Sequence, residues 1–165
     1  MDQLSLFEYP ANQVIWQLYV DGASRNNPGP SGAGIYIVQD RHEVLRQGFF
    51  LGTCTNNQAE YIALLLGLCQ IRELMATATD QLRILSDSEL LVRHILGNYA
   101  VKHPALIPLY QKVKNFLHDL RYVIVHIPRS ENAVADLLAN EGIDQRHMIP
   151  TPLRIACGLS DLCTE

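Results

Sequence analysis

The 165-residue chain is predicted to form an α/β fold in three layers, with a mixed five-stranded sheet flanked by helices. In that sheet an antiparallel meander is followed by parallel strands. Three observations carry the prediction. Residues 14–51 hold three β-rich runs on short connections, the pattern of a meander. From Asn57 the spacing of apolar residues becomes helical. Beyond Ala76, short apolar runs alternate with helical segments, which favours parallel additions to the sheet.

Taken in order, Val14 to Val20 is the first strand, ending at Asp21-Gly22. The Gly/Pro-rich segment from Asp21 to Gly34 is expected to be a loop. Gly34 to Val38 is the second strand, residues 39–43 a polar turn, and Val44 to Leu51 the third strand. Ile62, Leu65, Leu66, Cys69 and Leu74 recur at helical spacing, which predicts a helix from Asn57 to near Ala76. Leu82 to Ser86 is a short buried strand, and a helix follows from Ser88 to near Leu96, stopped by Gly97-Asn98. Leu106 to Leu120 is the next helix, Tyr122 to His126 the last strand, and Asn132 to Asp144 the last long helix. This divides the chain into an N-terminal peptide (1–13), one domain (14–145) and a C-terminal tail (146–165). Within the tail, residues 145–152 read as a linker and 153–162 as one short amphipathic turn of helix. There is no internal repeat.

Composition narrows the function classes. The length suits one domain with a sizeable core. Hydrophobic residues make up 48% and charged residues 18%, as in a globular protein rather than a membrane-spanning one, and no apolar run reaches the ~18 residues of a span. The chain begins Met1-Asp2-Gln3, without a basic start or apolar stretch, so no signal peptide is expected and the cytoplasm is the expected location. Cys54, Cys69, Cys157 and Cys163 lack CxxC spacing and are expected to be reduced thiols. A net charge of −4 disfavours a polyanion, so any nucleic-acid surface must be local, with cations supplying part of the complementarity.

Four carboxylates stand out. Asp21 follows the first strand, Glu60 lies in Thr55-Asn56-Asn57-Gln58-Ala59-Glu60-Tyr61, Asp87 follows the fourth strand, and Asp136 lies in Ser130-Glu131-Asn132-Ala133-Val134-Ala135-Asp136. Each also has a structural reading. Asp21-Gly22 fits a strand-ending turn, Glu60 a capping box begun by Asn57, Asp87 the cap of the following helix, and Asp136 a solvated helix face. The segment Gly29 to Gly34 is not a phosphate loop, because its glycine order is wrong and it runs into a strand without a Walker lysine.

In residue type, order and spacing, the four acids with the Thr-Asn-Asn segment resemble the type 1 ribonuclease H family over residues 14–145. The resemblance implies the ribonuclease H fold and cleavage of the RNA strand of RNA–DNA hybrids in replication or repair, leaving 3′-hydroxyl and 5′-phosphate ends. It makes Asp21, Glu60, Asp87 and Asp136 the catalytic and metal-binding set, with Asp21 bridging two Mg²⁺ ions and Mn²⁺ as a substitute. The physics agrees: clustered carboxylates resist joint ionisation, hard cations relieve that cost, and two ions ~4 Å apart suit phosphodiester hydrolysis. Alternatives are a non-catalytic hybrid- or partner-binding module, and a broader nuclease that also cuts double-stranded RNA.

The resemblance also implies substrate contacts at Gly22, Asn27, Thr55, Asn56 and Gln58, of which the amides suit recognition of a 2′-hydroxyl. Arg25, His103 and Arg129 are further candidates near phosphates. His126, ten residues before Asp136, matches a histidine that assists product release in some members, although His126-Ile127-Pro128-Arg129 reads as stiff. The basic protrusion of longer members is absent between Gly97 and Lys102, which implies weaker substrate binding. Separately, Gln3-Leu4-Ser5-Leu6-Phe7 resembles the peptide by which bacterial replication and repair proteins bind the β sliding clamp. A monomer with that one protein partner is expected.

Overall fold

The computed structural model describes residues 13–77 and 79–160. Strand β1, Ile15–Ser24, buries Trp16, Leu18 and Val20 while the residues between them stay partly exposed. That is the alternation expected of a strand with unequal faces. It pairs antiparallel with β2, Gly29–Gln39, which pairs antiparallel with β3, His42–Cys54. On its other side β1 runs parallel to β4, Gln81–Ser86, and β4 runs parallel to β5, Tyr122–His126. The order β3-β2-β1-β4-β5 is the predicted mixed sheet, three strands from a meander and two added in parallel.

Helix α1, Asn56–Leu74, is apolar nearly all round and buries Ala59, Tyr61 to Cys69 and Ile71. One side lies on β1, where Gly67 rests against Leu18, and the other meets α3, Ile107–Leu117. Helix α2, Glu89–Leu96, follows β4 and ends at Gly97, whose φ of 79° suits glycine at a helix terminus. Helix α4, Ala133–Gln145, covers the opposite face of the sheet over β2 and β3. It comes close because Gly32, Gly34 and Gly48 present no side chain to it; a Cβ on Gly34 would overlap the Ala135 carbonyl. Among the described residues no helix is long and apolar enough to cross a membrane.

Two expectations need correction. The Gly/Pro segment is mostly strand: β1 continues through Asp21 to Ser24, and β2 begins at Gly29 rather than Gly34. Only residues 25–28 turn, through a left-handed Asn26 and a cis Asn27–Pro28 bond. Glycine and proline signal a break in structure locally, whereas here Gly32 and Gly34 let α4 approach the sheet. The second correction concerns the stretch after Gln145. Phe50 donates to the His147 carbonyl at 2.6 Å, Met148 bridges to Phe50, and a short α5, Thr151–Ala156, follows. Cys157 and Leu159 are then buried in the core shared with α1. Among the described residues, Cys54, Cys69 and Cys157 are buried and form no disulfide. Leu159→Ala is expected to cost ~2–4 kcal/mol, read as a lower midpoint in urea unfolding. An unchanged midpoint would mean that this segment adds nothing to the core.

Candidate active site

The acidic centre forms where β1 outruns β4. Their pairing ends at Val20 beside Ser86, and Asp21 and Asp87 are the next residues on each strand. Asp21 remains paired with Gly34 of β2, so its backbone is held mid-strand, and the residue is only 5% exposed. Glu60 reaches the same point from the first turns of α1. Gly22 makes this possible: its N–H donates to Glu60 Oε2 at 3.1 Å, and a Cβ there would overlap the backbone of Ala59 and Glu60. Ligand oxygens of Asp21, Glu60 and Asp87 all lie within 4.8 Å of one another. Asp136 arrives from the first turn of α4, and Asp21 feels its charge and hydrogen-bonding carboxyl directly.

The cluster is electrostatically unhappy by itself. Burial, then the charges of Asp87 and Asp136, push the Asp21 carboxyl up to about 8. Burial and the charges of Asp21 and Asp87 likewise raise Glu60, partly offset by the Gly22 N–H. Groups placed so that they resist joint ionisation need a compensating positive charge. The Arg129 guanidinium is 3.6 Å from Asp136 but is 81% exposed, too solvated to supply it. An all-carboxylate oxygen set of this size fits a hard divalent cation such as Mg²⁺ or Mn²⁺.

Three of the four structural readings of the acids fail on particular hydrogen bonds. Thr55, not Asn57, caps α1: its Oγ1 accepts from Gln58 N at 3.2 Å, and Gln58 Oε1 accepts from Thr55 N at 2.9 Å. Glu60 is thus not needed for capping. Ser88, not Asp87, caps α2, accepting from Leu91 N. Asp21 lies within β1 rather than in a turn ending it. Asp136 is only partly exposed, and its backbone oxygen accepts from Asn140.

A cleft of about 400 Å³ opens above these acids. Of the predicted substrate-contacting residues, Gly22, Arg25, Asn56 and Arg129 line it. Asn27 Oδ1 accepts from Asn56 N, and Asn56 Oδ1 from Ser24 N, both at 2.9 Å. Both residues are exposed, and with the carbonyl oxygens so engaged their amide NH₂ groups are the donors they can offer a ligand. Thr55 and Gln58 are bound to each other at its edge. Arg25 is paired with Asp144 at 2.5 Å. His103 sits apart from the cleft, its Nδ1 accepting from Ala105 N. His126 is not among the residues lining the cleft: its Nε2 bonds the Asp87 backbone carbonyl at 3.2 Å, and the residue borders a separate groove beside α2. Gln3 to Phe7 lie outside the described residues.

Sequence reading passed over Asn132 and Asn140. Asn132 Nδ2 donates to Asp87 Oδ1, and Asn140 lines the cleft. Their signal was present, since Asn132, Asp136 and Asn140 recur at i, i+4 and i+8, one polar stripe on a helix.

Residues 19–142 match a family model described as "Reverse transcriptase-like". The chain is 39% identical over 127 residues to a bifunctional protein of Mycobacterium tuberculosis, covering 75% of this chain but only 34% of that relative, about a third of its length. It is 33% identical over 148 residues to a ribonuclease H of Coxiella burnetii, covering 81% of this chain and 92% of that one. Its fold superposes with a TM-score of 0.72 on LC11-RNase H1 in complex with an RNA/DNA hybrid, at 34% identity, covering 80% of this chain and 97% of that one. A relative matched over most of its length, a matching fold and an acidic centre on the central strand agree, and the chain belongs to the type 1 ribonuclease H family.

Proposed function

We propose that this chain is a divalent-metal-dependent endoribonuclease that hydrolyses the RNA strand of RNA–DNA hybrids in replication or repair, leaving 3′-hydroxyl and 5′-phosphate ends. The observation that carries the reading is the convergence of Asp21, Glu60, Asp87 and Asp136 in one cleft, three with ligand oxygens within 4.8 Å. Family membership adds support, as does the solved relative that holds an RNA/DNA hybrid.

Asp21, Glu60 and Asp87 would hold the ions, with Asp136 completing the set beside Asp21. The chemistry that such ions supply when bound is activation of a water and neutralisation of charge on the departing ribose oxygen. The chain's own residues do the rest. The half-buried carboxylates present oxygens in fixed positions, since Glu60 is tied to Gly22 and Asp87 to Asn132. The amide donors of Asn27 and Asn56 suit the acceptor oxygens and nitrogens of a minor groove, and so position the duplex. Arg129, exposed at the cleft wall, attracts backbone phosphate. The Arg25–Asp144 pair must open before Arg25 can do the same.

The test is cleavage of an end-labelled hybrid with Mg²⁺ or Mn²⁺, beside double-stranded RNA and double-stranded DNA, with Asp87→Asn as control. Hybrid-selective cutting that is lost in the control is expected. Cutting of double-stranded RNA at a similar rate would make this a broader nuclease. Folded protein that cuts no duplex would leave a hybrid- or partner-binding module.

Gln3 to Phe7 would recruit the enzyme to the β sliding clamp, raising its local concentration at DNA and compensating for the missing basic protrusion. Surface plasmon resonance should show clamp binding that Leu6→Ala/Phe7→Ala removes. Equal signals from both proteins would exclude the peptide as the attachment point.

A further inference from the structure

Asn132 occupies the fork between β1 and β4. Its Nδ2 donates to the Val20 carbonyl at 2.9 Å, one residue before Asp21, and to Asp87 Oδ1 at 3.1 Å. Its backbone carbonyl accepts the N–H of Asp136 at 3.1 Å. One residue thus touches the backbone beside Asp21, the carboxylate of Asp87 and the helical turn that carries Asp136. The residue is 1% exposed, and its Oδ1 has no hydrogen-bond partner.

The orphaned oxygen is informative. Burying an unpaired carbonyl costs about 1–3 kcal/mol, which an apolar residue of similar size would avoid. What an apolar residue lacks is the NH₂ group, whose two protons are both used here. The reverse orientation of the amide would set its oxygen against two acceptors, Val20 O and Asp87 Oδ1, so the hydrogen bonds dictate this orientation. Since both bonds leave one planar nitrogen, the Asp87 carboxylate cannot shift relative to β1 without breaking one of them. Asn132 makes no helix-capping bond through its side chain, so capping does not explain it.

We infer that Asn132 is the positioning residue of the acidic centre, fixing Asp87 against Asp21 while its carbonyl anchors the turn bearing Asp136. The kinetic consequence rests on the proposed metal-dependent cleavage; the geometric one does not. Asn132→Ala and Asn132→Asp are the variants, with Asn132→Ser, which keeps one donor, replacing alanine if that variant does not fold. Val113→Ala, in the core of α3 away from the cleft, controls for lost stability.

Three readouts separate the possibilities. Crystal structures should show the Asp87 carboxylate displaced in Asn132→Ala. Calorimetry should show Mn²⁺ binding weakened by ~10-fold, and kcat on hybrid should fall ~10–100-fold with KM unchanged, the pattern of a lost transition-state interaction. Val113→Ala should lower Tm while keeping Mn²⁺ affinity and kcat. An unmoved Asp87, unchanged Mn²⁺ affinity and kcat, or equal losses in Val113→Ala would each overturn the assignment. Wild-type protein that neither binds Mn²⁺ nor cuts hybrid would refute the nuclease reading instead. The position of Asp87 in the variant crystal would then still decide whether Asn132 positions it.

Discussion

Asp21→Asn is expected to abolish hybrid cleavage while making the metal-free protein more stable. The opposite signs follow from one fact, that Asp21 is buried among other acids and its carboxyl is pushed up to about 8. An unfolded aspartate titrates near 3.9. Between that value and about 8 the folded protein holds a proton that the unfolded chain has released. Stability in chelator therefore falls as pH rises across this window, and the penalty is complete above it. Asparagine carries no charge at any pH, so the variant should lose Asp21's part of that slope; Glu60, also raised, keeps its own. At pH 8.5 in chelator the gain should be on the order of a few kcal/mol, or a Tm higher by ~5 °C or more. Saturating Mg²⁺ should reverse the order, because an ion that binds only the folded wild type stabilises it by mass action. Loss of several kcal/mol of transition-state stabilisation corresponds to a rate lower by ~10³-fold or more. Calorimetric scans with and without Mg²⁺ check the stability half. A variant that melts below wild type in chelator at pH 8.5 would mean that the acids are not in conflict, and the argument for a cation would lose its basis.

Gly22→Ala should damage both fold and activity. The added methyl would meet the backbone of Ala59 and Glu60, which cannot swing aside as a flexible side chain would. Either α1 moves off the end of β1 or β1 bends, and in both cases Glu60 leaves the Gly22 N–H. Overpacking against backbone belongs at the upper end of the usual 1–3 kcal/mol, so a loss of ~3 kcal/mol and ~6–12 °C in Tm is expected. Cleavage should fall by ~10²-fold or more, since small displacements of a reacting group cost that much. Differential scanning calorimetry and hybrid cleavage read the two effects. An alanine variant with wild-type Tm and activity would show that α1 is free to withdraw, and that Gly22 does not set the position of Glu60.

How much of this was legible beforehand varies by element. The mixed sheet, a meander with parallel additions, followed from three β-rich runs and the later alternation of apolar runs with helices, because periodicity reports which face of an element is buried. The boundaries near Gly29 to Gly34 were misread because glycine signals a turn locally, while here it answers the approach of α4, a partner about a hundred residues away. The C-terminal stretch was read as a tail for a related reason. Leu153 with Cys157, and Ile155 with Leu159, have a short helical spacing, but spacing does not say what covers it, and the burial of Cys157 and Leu159 depends on a core built by α1.

The sequence by itself determined the fold class and family, and it singled out four carboxylates, since their types and order are covalent facts. Only the tertiary structure decided that Thr55 and Ser88 do the capping, leaving Glu60 and Asp87 to face Asp21. It also decided that Arg25 is paired with Asp144, that His126 bonds the Asp87 carbonyl, and that Asn132 joins the acids. The reason is one of range. Capping and periodicity act within a turn or two of chain, whereas the hydrogen bond from Asn132 to Val20 joins residues 112 positions apart and exists only once the chain between them has folded.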